Sequence, residues 1–132
     1  VTKIIAVIFV VGLAVVNLMN NPFRYSPNMQ MSRTRAVAQF IAEQAGGEPF
    51  NLALLAKRNY DRGYVYFLTG SGAPYYTIHQ NLSEQLFVIC EEVECEPINN
   101  PLWEIAAFGW SKIDRTWEFP WGVKLLKLVH NN

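Results

Sequence analysis

The chain opens with a hydrophobic run that no charged side chain interrupts after Lys3. Every residue from Ile4 to Val16 is apolar or small, and Asn17 then precedes two further apolar residues. A helix over this run would be about 24 Å long, less than the ~30 Å hydrocarbon core of a bilayer, and upstream residues could supply the difference. Three interpretations compete: a membrane anchor, a cleaved signal peptide and a buried core helix. The run lacks the polar face of a core helix and is followed by a poor cleavage site, which favours the membrane anchor.

Residues 20–31 are rich in Asn, Ser and Pro, a composition that predicts a linker. Beyond the linker, Val37, Phe40 and Ile41 fall at positions i, i+3 and i+4. This spacing predicts a helix with one apolar stripe. Ser32 is its candidate N-cap, and Gly46-Gly47 is its candidate C-cap.

Nearly continuous apolar runs predict strands that are buried on both faces, as in a sheet covered by helices. The first such run is Phe50–Ala56, directly after Pro49, and a similar run covers Gln85–Glu91. A further strand is predicted at Tyr75–His79. Between the first two strands, the pattern predicts a short helix over Asp61–Thr69 that ends at a Gly-Ser-Gly turn.

The last third of the chain predicts a short helix and a hairpin. Pro101 is the candidate first residue of the helix. In residues 112–119, the apolar Ile113, Trp117 and Phe119 alternate with polar residues, which is the period of a strand. A turn at residues 120–122 leads to a closing strand over residues 123–131. The element order predicts an α/β fold: an N-terminal transmembrane helix, then a small α/β sandwich with a mixed sheet and a C-terminal hairpin.

The formal net charge is zero and the basic residues are scattered, which argues against nucleic acid as a partner. No glycine-rich phosphate loop with its Lys-Ser/Thr pair occurs, and no Ser-His-Asp context is found. His79 and His130 are isolated in the sequence and are expected to be structural or exposed. We therefore predict no catalytic residue, no metal site and no cofactor.

Cys90 and Cys95 are the two cysteines of the chain, and acidic residues stand between them. A disulfide is compatible with this spacing if the Cα atoms lie within about 7 Å. Two free thiols, with Cys90 buried at a strand end, form the second alternative. A metal site lacks the usual four Cys/His ligands, and a redox pair would normally be spaced Cys-x-x-Cys.

A charged loop follows the first predicted strand, and ligands often bind beyond the carboxyl ends of strands in open α/β sheets. Its candidate ligand-binding residues, suited to an anionic or sugar-like group, are Lys57, Arg58, Asn59, Asp61 and Arg62. The alternative, which we favour, is an ordinary charged loop in which Asp61 caps the next helix.

Two long segments carry a resemblance to a known family. They are residues 35–68, "RAVAQFIAEQAGGEPFNLALLAKRNYDRGYVYFL", and residues 85–131, with a "CEExxCEPI" loop, then "EIAAFG", then a closing "KLVH" strand. Together they resemble the C-terminal extracytoplasmic portion of bacterial integral-membrane glycosyltransferases of the GT-C class. The protein O-mannosyltransferases and aminoarabinose transferases belong to that group.

This resemblance implies a division of the chain into a last transmembrane helix (1–19), a linker (20–31) and an extracytoplasmic α/β domain (32–132). It implies a non-catalytic domain of an enzyme that moves a sugar from a lipid-phosphate carrier, because the family's catalytic loop lies elsewhere. The domain would cap the membrane core or contact the acceptor, with the bilayer, that core or a glycan as partners. It also implies a disulfide-permissive compartment for the cysteines. The positions of Lys3, Arg24, Arg33 and Arg35 favour the opposite orientation, although upstream helices usually decide topology.

Two other functions remain open at the level of sequence. One is a stand-alone, single-span membrane protein whose outer domain binds a partner or a glycan. The other is a pilin-like filament subunit, although the apolar run lacks the acidic residue that pilins commonly carry near its start.

Overall fold

The computed structural model describes residues 1–21, 23, 26–92 and 94–131. Pro22, Arg24 and Tyr25 of the predicted linker, Val93 of the cysteine loop and Asn132 lie outside the described residues. The fold is α/β, as predicted, with an N-terminal apolar helix, a four-stranded mixed sheet and a C-terminal hairpin.

The apolar run forms helix α1, Thr2–Met19. At 1.5 Å per residue, its 18 residues span about 27 Å. None of its side chains is buried against the rest of the protein. Among the described residues it is the one helix that is long and apolar enough to cross a membrane, a property that a signal sequence shares.

Helix α2 spans Gln30–Ala45 and therefore begins two residues before the predicted N-cap, Ser32. Its N-cap is Met29, which makes no side-chain capping bond, and Oδ1 of the preceding Asn28 accepts a 3.1 Å hydrogen bond from the backbone N–H of Gln30. The prediction at the other end is confirmed: Gly46 closes the helix with a φ of 66°, a conformation that favours glycine.

Strands β1 (Asn51–Leu55) and β2 (Gln85–Cys90) are parallel neighbours, joined by helix α3 (Arg62–Gly70). Helix α4 (Trp103–Phe108) follows, and strands β3 (Ser111–Glu118) and β4 (Lys124–His130) form the predicted hairpin. Strand β4 pairs with β2, so the strand order is β1-β2-β4-β3. The two parallel strands thus end at the same edge of the sheet.

The two faces of the sheet carry separate cores. On one face, α2 and α3 cover β1, β2 and β4, with Ile41, Leu68 and Phe87 fully buried. On the other face, α4 packs Ile105 and Phe108 against Val88 and Leu128. Both faces of β2 are therefore buried, which explains its unbroken apolar sequence.

The predicted strand at Tyr75–His79 is wrong. Only one isolated bridge joins Tyr75 to Phe50 within the described residues. Local hydrogen bonds then turn the chain: Oε1 of Gln80 accepts from the backbone N–H of Thr77 at 3.0 Å and from its hydroxyl at 2.9 Å. A side chain that bonds its own neighbourhood in this way competes with strand pairing.

Two smaller predictions in the last third are also corrected. Pro101 lies before α4, which begins at Trp103 with Leu102 as N-cap. In β3, a shift in register between Ile113 and Arg115 breaks the expected alternation. Ile113 pairs with Leu128 on the α4 side, whereas Trp117 pairs with Leu125 on the α2 side. Ile113 consequently stays largely exposed.

Candidate functional site

The carboxyl ends of the two parallel strands form one edge of a cleft. Leu55 of β1 pairs with Cys90 of β2, and the residues that follow these strands, Lys57, Glu91 and Glu92, line the same cleft. The first turns of α2 and α3 close the other side of the cleft, whose volume is about 510 Å³. This is the position in which open α/β sheets bind their ligands.

The charged loop that the sequence singled out is divided by the structure. Lys57 and Arg58 line the cleft, whereas Asn59, Asp61 and Arg62 do not. The backbone carbonyl of Asp61 accepts the first hydrogen bonds of α3, but its side chain makes no capping bond. Two of the five candidate residues therefore line the cleft.

The aromatic and acidic side chains that line the cleft were not predicted to lie there: Tyr60, Tyr64, Glu91 and Glu92. Tyr60 exposes 74% of its surface beside two cations, a placement typical of a residue that stacks on a ligand. In the sequence, the signal that could have identified Tyr60 is the presence of an aromatic residue inside a charged loop. Tyr64 and Glu91 lie 27 positions apart, and their proximity depends on the strand order.

Tyr64 is held as a neutral hydrogen-bond donor. It is buried, and its hydroxyl donates a 2.6 Å hydrogen bond to Oε1 of Glu91. Burial first, and then the Glu91 carboxylate, raise the pKa of Tyr64 far above its ordinary value of 10.0, while a hydrogen bond with Thr34 opposes the shift. A phenol with so high a pKa keeps its proton at neutral pH, so it positions the loop of Glu91 and cannot act as a base.

Cys90 and Cys95 form a disulfide, with Cα atoms 5.9 Å apart. Cys90 is buried at the end of β2, and Cys95 is half-buried against the α4 core. The bridge fixes the acidic loop beside the cleft. No group of three metal-ligating residues occurs in the part of the chain that the structure describes.

The opposite edge of the sheet holds a second cleft, of about 530 Å³. The hydrogen bonds around it are structural, whereas the buried hydroxyl of Ser83, which lines it, has no hydrogen-bond partner among the described residues. Nδ2 of Asn51 donates to the carbonyls of Tyr76 and Asn81, and Nε2 of Gln85 donates to the carbonyl of Ala45 at the end of α2. This cleft is therefore a place where loops are fastened to the sheet.

Both histidines lie against aromatic rings, as the structural expectation for them implied. His79 stacks on Trp103 with ring centroids 5.4 Å apart, and His130 stacks on Phe108 at 4.2 Å. Neither histidine lines the cleft at the strand ends. The chemistry of that cleft thus rests on cations, carboxylates and tyrosines, a set suited to binding polar groups.

Comparison of the chain with protein-family models, with curated proteins and with solved structures finds no match in any of the three.

Proposed function

We propose that the chain is a membrane-tethered, extracytoplasmic domain that forms the C-terminal part of a glycosyltransferase using a lipid-phosphate-linked sugar. In this proposal the domain caps the membrane core of the enzyme or contacts its acceptor, and it makes no bond itself. The observation that carries the proposal is the pairing of a fully exposed apolar helix with a disulfide-bridged domain. Exposed apolar surface of this extent requires a bilayer or a partner, and disulfides persist in oxidising compartments.

The transferase part of the proposal rests on the resemblance of residues 35–68 and 85–131 to the GT-C enzymes. The chemistry of the described cleft is compatible with a supporting role, because its tyrosine is protonated and its polar groups suit binding. The reading frame upstream of Val1 tests this part. We expect it to encode several further apolar spans, and a stop codon immediately upstream would overturn the transferase assignment.

The tether is tested separately with the full chain expressed in a bacterium. We expect the chain to stay in the membrane pellet after alkaline carbonate extraction and to keep its full mass. Protease added to the outer side should digest the domain. A soluble product that lacks the apolar run would identify α1 as a signal peptide and contradict the tether.

A stand-alone glycan-binding domain is the second candidate, and the cleft at the strand ends favours it. Exposed Tyr60 offers a stacking surface, and Lys57 and Glu91 offer hydrogen bonds to hydroxyl groups. The full chain in nanodiscs, applied to a glycan array, tests this function. Binding that Tyr60→Ala abolishes and the exposed control Tyr76→Ala retains would support it.

A further inference from the structure

A groove runs between the N-terminal part of α2 and the length of α3, on the outer surface of the domain. We call it the α2–α3 groove and define it by Met31, Thr34, Arg35, Tyr66 and Phe67. Its two contiguous parts have volumes of about 650 and 310 Å³. The groove shares Gln30, Thr34 and Gly63 with the cleft at the strand ends, whereas Glu91 and Glu92 line that cleft and not the groove.

The groove combines exposed apolar side chains with positive charge. Met31 exposes 76% of its surface and Tyr66 exposes 73%. Arg35 lines the groove, and no acidic residue is among the described residues that line it. Arg35 forms no ion pair with another described residue. Surfaces that lie at a lipid–water interface have this composition: they carry tyrosine, methionine and arginine, and they lack carboxylates.

A short segment of the chain joins the first turn of α2, at this groove, to the end of α1. Ten residues separate Met19, the last residue of α1, from Gln30, the first of α2. A fully extended chain of that length covers at most about 35 Å. The first turn of α2, which carries Met31, is thus the part of the domain most tightly restricted to the neighbourhood of α1.

We infer that the α2–α3 groove docks on the surface of the bilayer that α1 enters, with Arg35 on the phosphates of anionic lipids. Tyr66 and Met31 lie at the level of the headgroups. This inference rests on the membrane tether of the proposed function. A second contact of this kind would hold the cleft at the strand ends at a fixed height above the membrane, where a lipid-linked substrate presents its head.

The test uses the full chain reconstituted into phosphatidylcholine vesicles with and without phosphatidylglycerol. Tyr66→Cys and, independently, Met31→Cys carry an environment-sensitive fluorophore, attached without reductant so that the native disulfide stays closed. The matched control is Leu82→Cys, an exposed apolar position at the opposite edge of the sheet. Lipids with a nitroxide near the headgroup serve as quenchers.

We expect severalfold stronger quenching at positions 66 and 31 than at position 82 when phosphatidylglycerol is present. Adding Arg35→Gln should reduce the docked-to-undocked ratio about fivefold, with a smaller effect in phosphatidylcholine alone. Equal quenching at positions 66, 31 and 82 in vesicles that carry the chain would overturn the docking. The same result is expected if a protein partner, rather than the bilayer, fills the groove. Flotation of the vesicles separates the two proposals: a chain that fails to float with them contradicts the tether, and the docking falls with it.

Discussion

The hydroxyl of Tyr64 lies 2.6 Å from Oε1 of Glu91 and donates a hydrogen bond to it. Tyr64 belongs to the first turn of α3, and Glu91 is the first residue after β2. The bond therefore ties the helix that crosses between the parallel strands to the loop that the disulfide closes. It also sets the position of the two sides of the cleft relative to each other.

Replacing Tyr64 with phenylalanine removes this bond and keeps the buried ring. We expect Tyr64→Phe to lower the free energy of unfolding by about 1.5 kcal/mol, at the low end for a bond to a charged group because Glu91 is exposed and can regain water. Urea unfolding of the full chain in detergent micelles measures the change. Tyr66→Phe, on the same helix but exposed, is the control and should change the free energy by less than about 0.5 kcal/mol. An equal effect of both variants would mean that the hydroxyl of Tyr64 contributes nothing.

The raised pKa of Tyr64 predicts a loss of stability in alkali. The phenol ionises near pH 10.0 in the unfolded chain and at a much higher pH in the folded one. The unfolded state therefore releases its proton first, so the contribution of Tyr64 is fully present below pH 10.0 and is lost as the pH rises above that value. Burial also raises the pKa of Tyr75, which adds to the loss in the wild type and in the variant alike. We expect the unfolding free energy of Tyr64→Phe to fall less steeply above pH 10.0 than that of the wild type, and parallel curves would contradict the shift.

The disulfide should protect both cysteines from alkylation and stabilise the loop. With a sequence separation of 5 between Cys90 and Cys95, the loop-entropy relation gives about 2 kcal/mol. Alkylation of the full chain without reductant should modify neither residue, and added reductant should lower the unfolding free energy by that amount. The double variant Cys90→Ala/Cys95→Ala is the control, and reductant should not affect it. Rapid alkylation before reduction would show that the bridge is absent.

The elements could be predicted from the sequence because each apolar run carries its own period. The stripe of Val37 and Ile41 predicted a helix, and the unbroken run of β2 predicted a strand covered on both faces; both are buried as expected. The segment at Tyr75 carries the composition of a strand, but the hydrogen bonds of Gln80 turn it back. Local composition does not report such competition between a side chain and strand pairing.

The candidate site was predictable only in part, because its geometry depends on which strands are neighbours. Lys57 and Arg58 follow a predicted strand and were found by that rule. Glu91 becomes their neighbour because β1 and β2 are parallel and adjacent, which no apolar run encodes. The register shift in β3 is a similar case: it moves Ile113 to the other face, and the alternation of residues 112–119 gives no sign of it.

Phe40 tests how α2 packs on the hairpin. Its half-buried ring meets Trp117 and Phe119 edge to face, with ring centroids 5.4 and 5.6 Å apart. We expect Phe40→Ala to lower the unfolding free energy by about 3 kcal/mol, the low end for a phenylalanine because the ring is half-exposed. The exposed neighbour provides the control Gln39→Ala, with a change below about 0.5 kcal/mol. A loss below about 1 kcal/mol for Phe40→Ala would mean that this edge of the helix does not stabilise the fold.

Asn51 is the polar side chain on which the loop before β2 depends. Its Nδ2 donates to the carbonyls of Tyr76 and Asn81 at 2.9 and 2.8 Å, and its Oδ1 accepts from the N–H of Ser83 at 2.8 Å. A carboxylate at position 51 keeps the oxygen that accepts from Ser83. It replaces the amide group that donates both hydrogen bonds with an oxygen that faces two carbonyls. Because the site is 1% exposed, water cannot compensate, and we expect Asn51→Asp to lower the unfolding free energy by at least about 3 kcal/mol at neutral pH.

The pH dependence of Asn51→Asp separates this explanation from a simple loss of packing. Burial and the two carbonyls disfavour the charged form, so the pKa of the new carboxyl should lie above its ordinary ~3.9 in the folded state. The protonated acid can donate to one carbonyl. The deficit in unfolding free energy relative to wild type is therefore smallest at a pH below the ordinary carboxyl pKa of ~3.9. It should grow as the pH rises through the folded-state pKa. Asn59→Asp, in the exposed loop after β1, is the control and should show no deficit. A deficit for Asn51→Asp that stays constant from acidic to neutral pH would show that the two donated hydrogen bonds are not what Asn51 contributes.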